Sequence, residues 1–576
     1  MLISIIFLKL FWIQIISTNS FGEHNIDLVA NAEKQRTKSI EIDNGRGDIL
    51  DRNGKSLLNY EMLDVVILFP FVEKLTSKSQ ITELAEISQL STEYLQLLIK
   101  NMREPTVLKD ENGNILHLTP LQLQQVRELK IPGVIVSPYV ERNSTILKHV
   151  IGYLAENEKK VKDYYQEFLA QGAITPNTKI GMSGLEKTFD RYLIGIGPTT
   201  LAYSVDGNGD PLLGLGIKYS GKETDPFLPY DIQTTIDAEI EKIIENILEK
   251  YEVKEGAVVL LDATNADIIA MASKPDFDPL NVNPFNENWH NNAVYSIEPG
   301  SIFKTVITAI VLENDLADFQ EEFTCTGDLG KYNFTCWKEE GHGKLKLDDA
   351  FAESCNITYA KLSERITGDQ VINYADKLGL IGKVGWQGTL FKDYNFAQID
   401  QEEAGQVFSE ITYPFRNDEG VLIQTAIGQR DVRATPLAAA NMMVTIINNG
   451  EQFQPRLVKE MRYKDGTTLH TFPILKKEWE NNTPISSHTA LELKRLLRLV
   501  VTHEKGTGRL LQSSRWPIAG KTGTAQTNIL GKYHKWFVGF APYDNPKYAI
   551  AVVVKNTDDT PIALNITNDI FNEIAR

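Results

Sequence analysis

The segment that most restricts what this chain can fold into runs from Glu298-Pro299-Gly300-Ser301-Ile302-Phe303-Lys304 on to Leu312. Pro299-Gly300 breaks whatever precedes it, and Ser301 to Leu312 (SIFKTVITAIVL) then holds no Gly or Pro. The run is apolar on nearly all sides, which predicts a buried helix with Ser301 in its first turn. Ser301 and Lys304 are three residues apart and so share one face. A serine hydroxyl is a weak nucleophile at neutral pH unless a base stands beside it. A lysine is such a base where desolvation or a neighbouring cation keeps it neutral. The unpaired N–H groups of a helix N-terminus suit a developing oxyanion. Taken alone, Ser-x-x-Lys also describes a helix cap followed by a surface lysine. The expected burial of this helix argues against that reading.

A chain of 576 residues has length for roughly two to four domains. Its net charge of −17 excludes nucleic acid as a partner and points to an acidic, soluble exterior. Met1 to Ser17 (MLISIIFLKLFWIQIIS) is apolar apart from Lys9, Gln14 and two serines. At about 1.5 Å per residue, about 17 helical residues just span a bilayer core of about 30 Å. With no basic segment ahead and no A-x-A site behind, an uncleaved membrane anchor over 1–20 is expected, and a cleaved signal peptide is the rival. The three cysteines, Cys325, Cys336 and Cys355, show no zinc-type Cys/His cluster. Cys325 and Cys336 are candidates for a short disulfide loop in an oxidising compartment.

Asn53-Gly54 predicts a hairpin turn between strand-like arms. A helical stripe spans Gln80 to Leu98, and Thr119-Pro120 opens a short helix to Lys130. Ser204 to Gly216 reads as a hairpin region. The polar stretch Lys222 to Tyr230, with two prolines, marks the main domain boundary, giving 21–226 and 227–576. Beyond it come a strand at Asp231–Ile236 and a helix capped by Asp237. Two strand pairs follow, Ala257–Asp262 with Ile268–Ser273, and Trp536–Ala541 with Tyr548–Lys555. A helix holding Ile566, Ile570 and Ile574 closes the chain. The expectation is an α+β fold: an antiparallel sheet built from sequence-distant hairpins and flanked by helices, with a helical stretch from Ser301 to about Asn449.

Ser354-Cys355-Asn356 follows Ser301, and Lys521-Thr522-Gly523-Thr524 comes later, after Ile518-Ala519-Gly520. Either alone fits a loop, a cap or a guarded edge strand. Gly523 permits close backbone approach. The ordered set Ser-x-x-Lys, Ser-x-Asn, Lys-Thr-Gly is far more specific. On these motifs the chain resembles a class B penicillin-binding protein. Arg46 to Gly54 resembles that family's pedestal signature; His149 to Tyr153, Gly184-Leu185-Glu186, Gly341-His342-Gly343 and Thr435-Pro436-Leu437 resemble later stretches. Gly428-Gln429-Arg430 departs from the pattern, which has glycine in place of Arg430.

The resemblance implies a serine-transpeptidase fold with a helical subdomain, carried on an elongated α+β pedestal and an N-terminal membrane segment, with the catalytic domain outside the cytoplasm. It implies a peptidoglycan D,D-transpeptidase acting on lipid-linked stem peptides, blocked by β-lactams, beside a glycosyltransferase partner at the cell membrane. Ser301 would attack the D-Ala-D-Ala carbonyl and Lys304 take its proton. Ser354 would protonate the leaving group, Asn356 bind the substrate amide and Lys521 orient Ser354. Thr522 and Thr524, with Gly523 between them, would bind the terminal carboxylate. This chemistry calls for no metal or organic cofactor. Related motif sets serve D,D-carboxypeptidases, serine β-lactamases, low-affinity resistance variants and non-catalytic sensors.

Overall fold

The computed structural model describes residues 2–13, 36–170, 173–195, 197–206, 210–220, 228–479 and 483–576. Leu2–Phe11 is helical, and among the described residues no helix is long and apolar enough to cross a membrane. The remainder of the expected anchor, and most of the expected boundary at Lys222 to Tyr230, lies outside the described residues.

In the first part of the chain, Asn59–Leu68 and Val134–Asn143 pair antiparallel along their full length. Thr37–Asp43, Thr199–Ser204 and Ile217–Ser220 make a second small sheet, the last two as the expected hairpin. The stripe over Gln80 to Leu98 is two helices, Lys78–Ser88 and Thr92–Asn101, because Gln89 adopts a left-handed φ of 57° and ends the first. Ser77 and Ser91 cap them. With Thr119-capped Pro120–Glu128 they bury Leu84, Leu95 and Leu123 in one small core.

Asn53-Gly54 does form a tight turn, with Gly54 at φ 83° and its N–H on Asp51 O at 3.1 Å. Its arms differ from expectation. The strand Ile49–Leu50 is two residues long and runs parallel to Asp231–Thr234. The pedestal thereby contributes an edge to a sheet whose other strands, Val458–Arg462 and Thr468–Thr471, belong to the second half.

The second half is built on a five-stranded antiparallel sheet. Its spatial order is Ile268–Lys274, Gly256–Asp262, Tyr548–Thr557, Tyr533–Ala541, Ala519–Gln526. Alternation along each strand sorts side chains to two faces. Val258, Leu260, Phe537, Ile550 and Val552 pack against the flanking helices Ala238–Lys250 and Ile562–Ile574. Val259, Leu261, Trp536, Val538, Ala551 and Val553 face the larger core, which holds the helices Lys304–Glu313, Pro436–Ile447 and Ser487–Thr502. A sheet buried on both faces explains why its strands read as continuous apolar runs. Ala519–Gln526, at the edge, leaves one side open.

Candidate active site

Ser301 sits in a 3-10 turn, Gly300–Phe303, that leads directly into the helix Lys304–Glu313. That helix is buried from Lys304 to Val311, as its composition predicts. The turn is pressed against the edge strand through glycines on both sides. A Cβ on Gly300, at φ 56°, would meet Thr524 O at 2.5 Å, and one on Gly523 would meet Pro299 O at 2.7 Å. Both glycines are required by this contact, which seats the Ser301 turn beside Lys521-Thr522-Gly523-Thr524.

Ser354 holds a left-handed φ of 57° between the helices Leu347–Ala352 and Asn356–Ser363. The fully buried Lys304 amine donates to Ser354 O at 2.7 Å, to Ser354 Oγ at 3.2 Å and to Asn356 Oδ1 at 2.8 Å. Lys521, also fully buried, donates to the same Ser354 Oγ at 3.0 Å and to Thr522 O at 3.2 Å. The structure thus brings all three motifs into one hydrogen-bonded cluster. In this arrangement the bonds of Lys304 go to the Ser354–Asn356 turn and none goes to Ser301.

Both lysines bond only neutral oxygens here, and each lies over an aromatic ring: Lys304 over Tyr359 at 5.3 Å and Lys521 over Phe351 at 5.7 Å. Burial pushes the Lys304 ammonium down to about 8, against the opposing pull of Cys355 and Cys336. Burial, reinforced by the charge of Lys304, pushes Lys521 well below the usual lysine value. Desolvation disfavours an ammonium unless a counter-ion offsets it. The arrangement therefore supplies buried amines biased toward their neutral, proton-accepting form, at a serine hydroxyl shared between them.

These groups open on a cleft of about 660 Å³ lined by Ser301, Ser354, Asn356, Thr522, Gly523 and Thr524. Three further lining residues escaped sequence reasoning. Lys535 donates to Thr524 Oγ1 at 3.1 Å and is its cross-strand partner, so the hairpin register would have disclosed it. Thr507 Oγ1 lies 2.6 Å from Thr522 Oγ1. Trp337 Nε1 donates to Ser354 O at 3.2 Å. Arg430 occupies a left-handed φ of 64°, the conformation for which glycine is suited. The adjoining Gly428 O accepts from Gly300 N at 3.0 Å, so this turn braces the Ser301 turn from behind.

The cysteines correct two expectations. No disulfide joins Cys325 and Cys336: all three thiols are free and buried. A compact Cys/His cluster does exist. Donor atoms of Cys325, Cys336, His342 and Cys355 all lie within 4.8 Å of one another. The Cys336 thiol is held well below the usual thiol range, first by its hydrogen bond with Cys355, then by that with His342.

A sequence model described as the penicillin-binding protein transpeptidase domain matches residues 256–576, and one described as the penicillin-binding protein dimerisation domain matches 41–215. The chain is 26% identical to stage V sporulation protein D of Bacillus subtilis, over 95% of this chain and 81% of that one. It is 25% identical to the peptidoglycan D,D-transpeptidase MrdA of Acinetobacter baumannii, over 95% and 83%. Among solved structures, a complex of a penicillin-binding protein (PBP2) with MreC from Helicobacter pylori superposes with a TM-score of 0.64 at 21% identity, covering 94% of this chain and 99% of that one. A chain from a peptidoglycan synthase complex that coordinates polymerisation and cross-linking gives 0.66 at 23% identity, covering 99% and 95%.

Proposed function

The chain belongs to the class B penicillin-binding proteins and is a peptidoglycan D,D-transpeptidase, and from that premise we propose that it works through an acyl-enzyme on Ser301. The observation that carries this reading is the pair of buried amines, Lys304 and Lys521, sharing the Ser354 hydroxyl beside the Ser301 turn. Ser301 Oγ attacks the carbonyl of the penultimate D-Ala of a stem peptide. Neutral Lys304 takes its proton, exchanging one of its bonds to the Ser354–Asn356 turn for one to Ser301. Backbone N–H groups of Ser301 and Thr524 hold the oxyanion, an interaction worth about 3–4 kcal/mol per donor in other acyl-transfer enzymes.

Ser354, oriented by Lys521, returns a proton to the departing D-Ala. Asn356 binds the substrate amide. Thr522 and Thr524 bind the terminal carboxylate, with the Lys535 ammonium, itself ion-paired with Asp559, donating to Thr524 from behind. The amine of a second stem peptide then resolves the ester and leaves a cross-link. A membrane anchor ahead of the pedestal, and a glycan-polymerising glycosyltransferase partner, complete the proposal.

The test is mass spectrometry of the full chain after incubation with a labelled penicillin. A single adduct on the peptide carrying Ser301, persisting for many minutes and absent in Ser301→Ala, is the expected result. An adduct on another residue overturns the assignment, and rapid turnover of the penicillin replaces it with a β-lactamase.

A further inference from the structure

Hydroxyls and backbone groups receive the substrate in the scheme above, yet the cleft wall also carries one pair of opposite charges. Among the described residues that line the cleft, Lys535 and Asp559 are the charged ones, and they are ion-paired with each other. The two side chains differ in their access to water. Lys535, on the strand Tyr533–Ala541, is 12% exposed, and Asp559 is 71% exposed. Asp559 stands in the short turn between the strand Tyr548–Thr557 and the helix Ile562–Ile574, where Asp558, Thr560 and Pro561 are exposed as well. Lys532 holds Asp558 separately at 2.7 Å, so the turn stays tethered whatever Asp559 does.

Lys535 is fixed where a terminal carboxylate arrives. Strand register sets it opposite Thr524, and its ammonium donates to Thr524 Oγ1 at 3.1 Å. A hydroxyl has one hydrogen and two lone pairs. With a lone pair of Thr524 taken by the ammonium, its hydrogen is left for an acceptor in the cleft. Two residues back along the strand, Thr522 Oγ1 shares a hydrogen bond with Thr507 Oγ1 at 2.6 Å. An anion seated on these two hydroxyls needs a cation nearby. Burial drives Lys304 and Lys521 toward the neutral form, and the ammonium of Lys535 is already held by a carboxylate of the chain itself. That carboxylate is weakly bound: an ion pair with a partner this exposed contributes little, because water solvates the free carboxylate nearly as well. A donor carboxylate held by two hydroxyls in addition to the ammonium outcompetes it.

We propose that Lys535 and Asp559 are an exchange pair that selects acyl donors by their terminal carboxylate: Asp559 holds the Lys535 ammonium in the resting cleft and swings into water as the donor carboxylate takes its place across Thr522, Thr524 and Lys535. Neither residue touches the reacting carbonyl, so both set specificity. The exchange leaves the local charge unchanged, since one carboxylate replaces another on one ammonium. A donor that ends in an amide or an ester has no charge with which to displace Asp559. This inference rests on the acyl-enzyme reading and adds to it the pair of residues that reads the donor's charge.

Benzylpenicillin and its methyl ester, which differ in charge at the ring carboxylate, are the probes, and the rate of adduct formation at Ser301 of the full chain is the readout. The wild-type chain should favour the free acid. Lys535→Met should slow acylation by the acid about 10- to 100-fold, the range for losing a hydrogen bond to a charged group, and alter acylation by the ester less than about threefold. Should that variant fold poorly, Lys535→Gln carries the same comparison. Lys535→Arg should keep most of the preference. Asp559→Asn should speed the acid about 2- to 5-fold, the size of an exposed ion pair, and leave the ester unchanged. In the Lys535→Met background the same change should have no effect. Acid and ester slowed together in Lys535→Met would make the lysine structural and overturn the selection. An acid rate that does not rise in Asp559→Asn overturns the exchange. A wild-type chain that forms no Ser301 adduct overturns the acyl-enzyme reading together with this inference, whereas a Ser301 adduct whose preference for the acid survives Lys535→Met overturns the inference alone.

Discussion

Two buried charged clusters, one in the pedestal and one in the catalytic half, solve the same problem in opposite ways. In the pedestal, Arg46 reaches Glu186 at 2.8 Å and Asp190 at 2.7 Å, while Arg142 reaches Glu186 at 2.8 Å and Gly47 O at 2.6 Å. Two guanidinium groups meet two carboxylates. Burial opposes the charge on Glu186, but Arg142 and Arg46 outweigh it and hold the carboxyl below its ordinary range. In the catalytic half, Lys304 and Lys521 are as deeply buried with no carboxylate bonded to either, and both are driven toward neutrality. The first cluster is compensated and pins three pedestal segments together. The second is uncompensated, which costs stability and makes proton acceptors.

The sharpest break of this comparison is Lys304→Met. It should lower the rate of penicillin acylation by about 10³-fold, within the range for loss of a general base, while the midpoint of thermal unfolding stays level or rises, because a desolvated amine is removed. Loss of acylation together with a marked fall in that midpoint would show the lysine to be structural. Glu186→Gln should do the reverse. It strands the buried Arg142 guanidinium and leaves Arg46 with Asp190 alone, so a loss of about 3–5 kcal/mol is expected by denaturant titration, with acylation by the folded fraction unchanged. A cost under about 1 kcal/mol would mean that the pedestal network is no keystone.

pH separates the clusters by window. Lys304 has its folded value lowered to about 8, so acylation should climb about tenfold from pH 6 to 7 and level off above about 8. The same depression means that the unfolded chain holds more protons between about 8 and the ordinary lysine value, so this group's contribution to stability improves as pH rises through that window. Glu186 has the same sign of slope, in the lower carboxylate window, but there the depression is a stabilising contribution and not a penalty. Its carboxyl is depressed, so its contribution is intact above the ordinary carboxylate value and is lost as pH falls through the lowered one. An acylation profile flat from pH 6 to 9 would remove Lys304 from the role of base.

Much of this was legible from residues. The buried helix behind Ser301, the two long strand pairs and the helices capped by Asp237 and Thr119 all follow from periodicity and cap chemistry. The pedestal motifs were legible as strings, and the structure supplies their reason: Arg46 and Glu186 are ion-pair partners 140 positions apart, and Gly152 packs against the Ser183 backbone. What stayed hidden depended on register or on three-dimensional closure. Lys535 becomes visible only once Thr524 is paired across the hairpin. The Cys/His cluster has long, uneven spacings, unlike a short Cys-x-x-Cys knuckle, and closes only because Gly341 lets two strands touch. The break at Gln89 carries no Gly or Pro to announce it.

Arg430 gives the smallest effect and tests whether the catalytic half carries strain apart from its lysines. A non-glycine residue at φ 64° bears about 1–2 kcal/mol of backbone cost, and its guanidinium earns little back, standing 3.8 Å from Asp431 and 43% exposed. Glycine at this site removes the cost but loosens the unfolded chain by about 0.4–1 kcal/mol. Arg430→Gly should therefore stabilise the protein by no more than about 1 kcal/mol, read as a small rise in unfolding midpoint, with the acylation rate unchanged. Because Gly428 O holds Gly300 N, a change in acylation beyond about threefold would have another meaning. The turn behind Ser301 would then be tuned by Arg430, and strain in this half would belong to the catalytic machinery along with the buried amines.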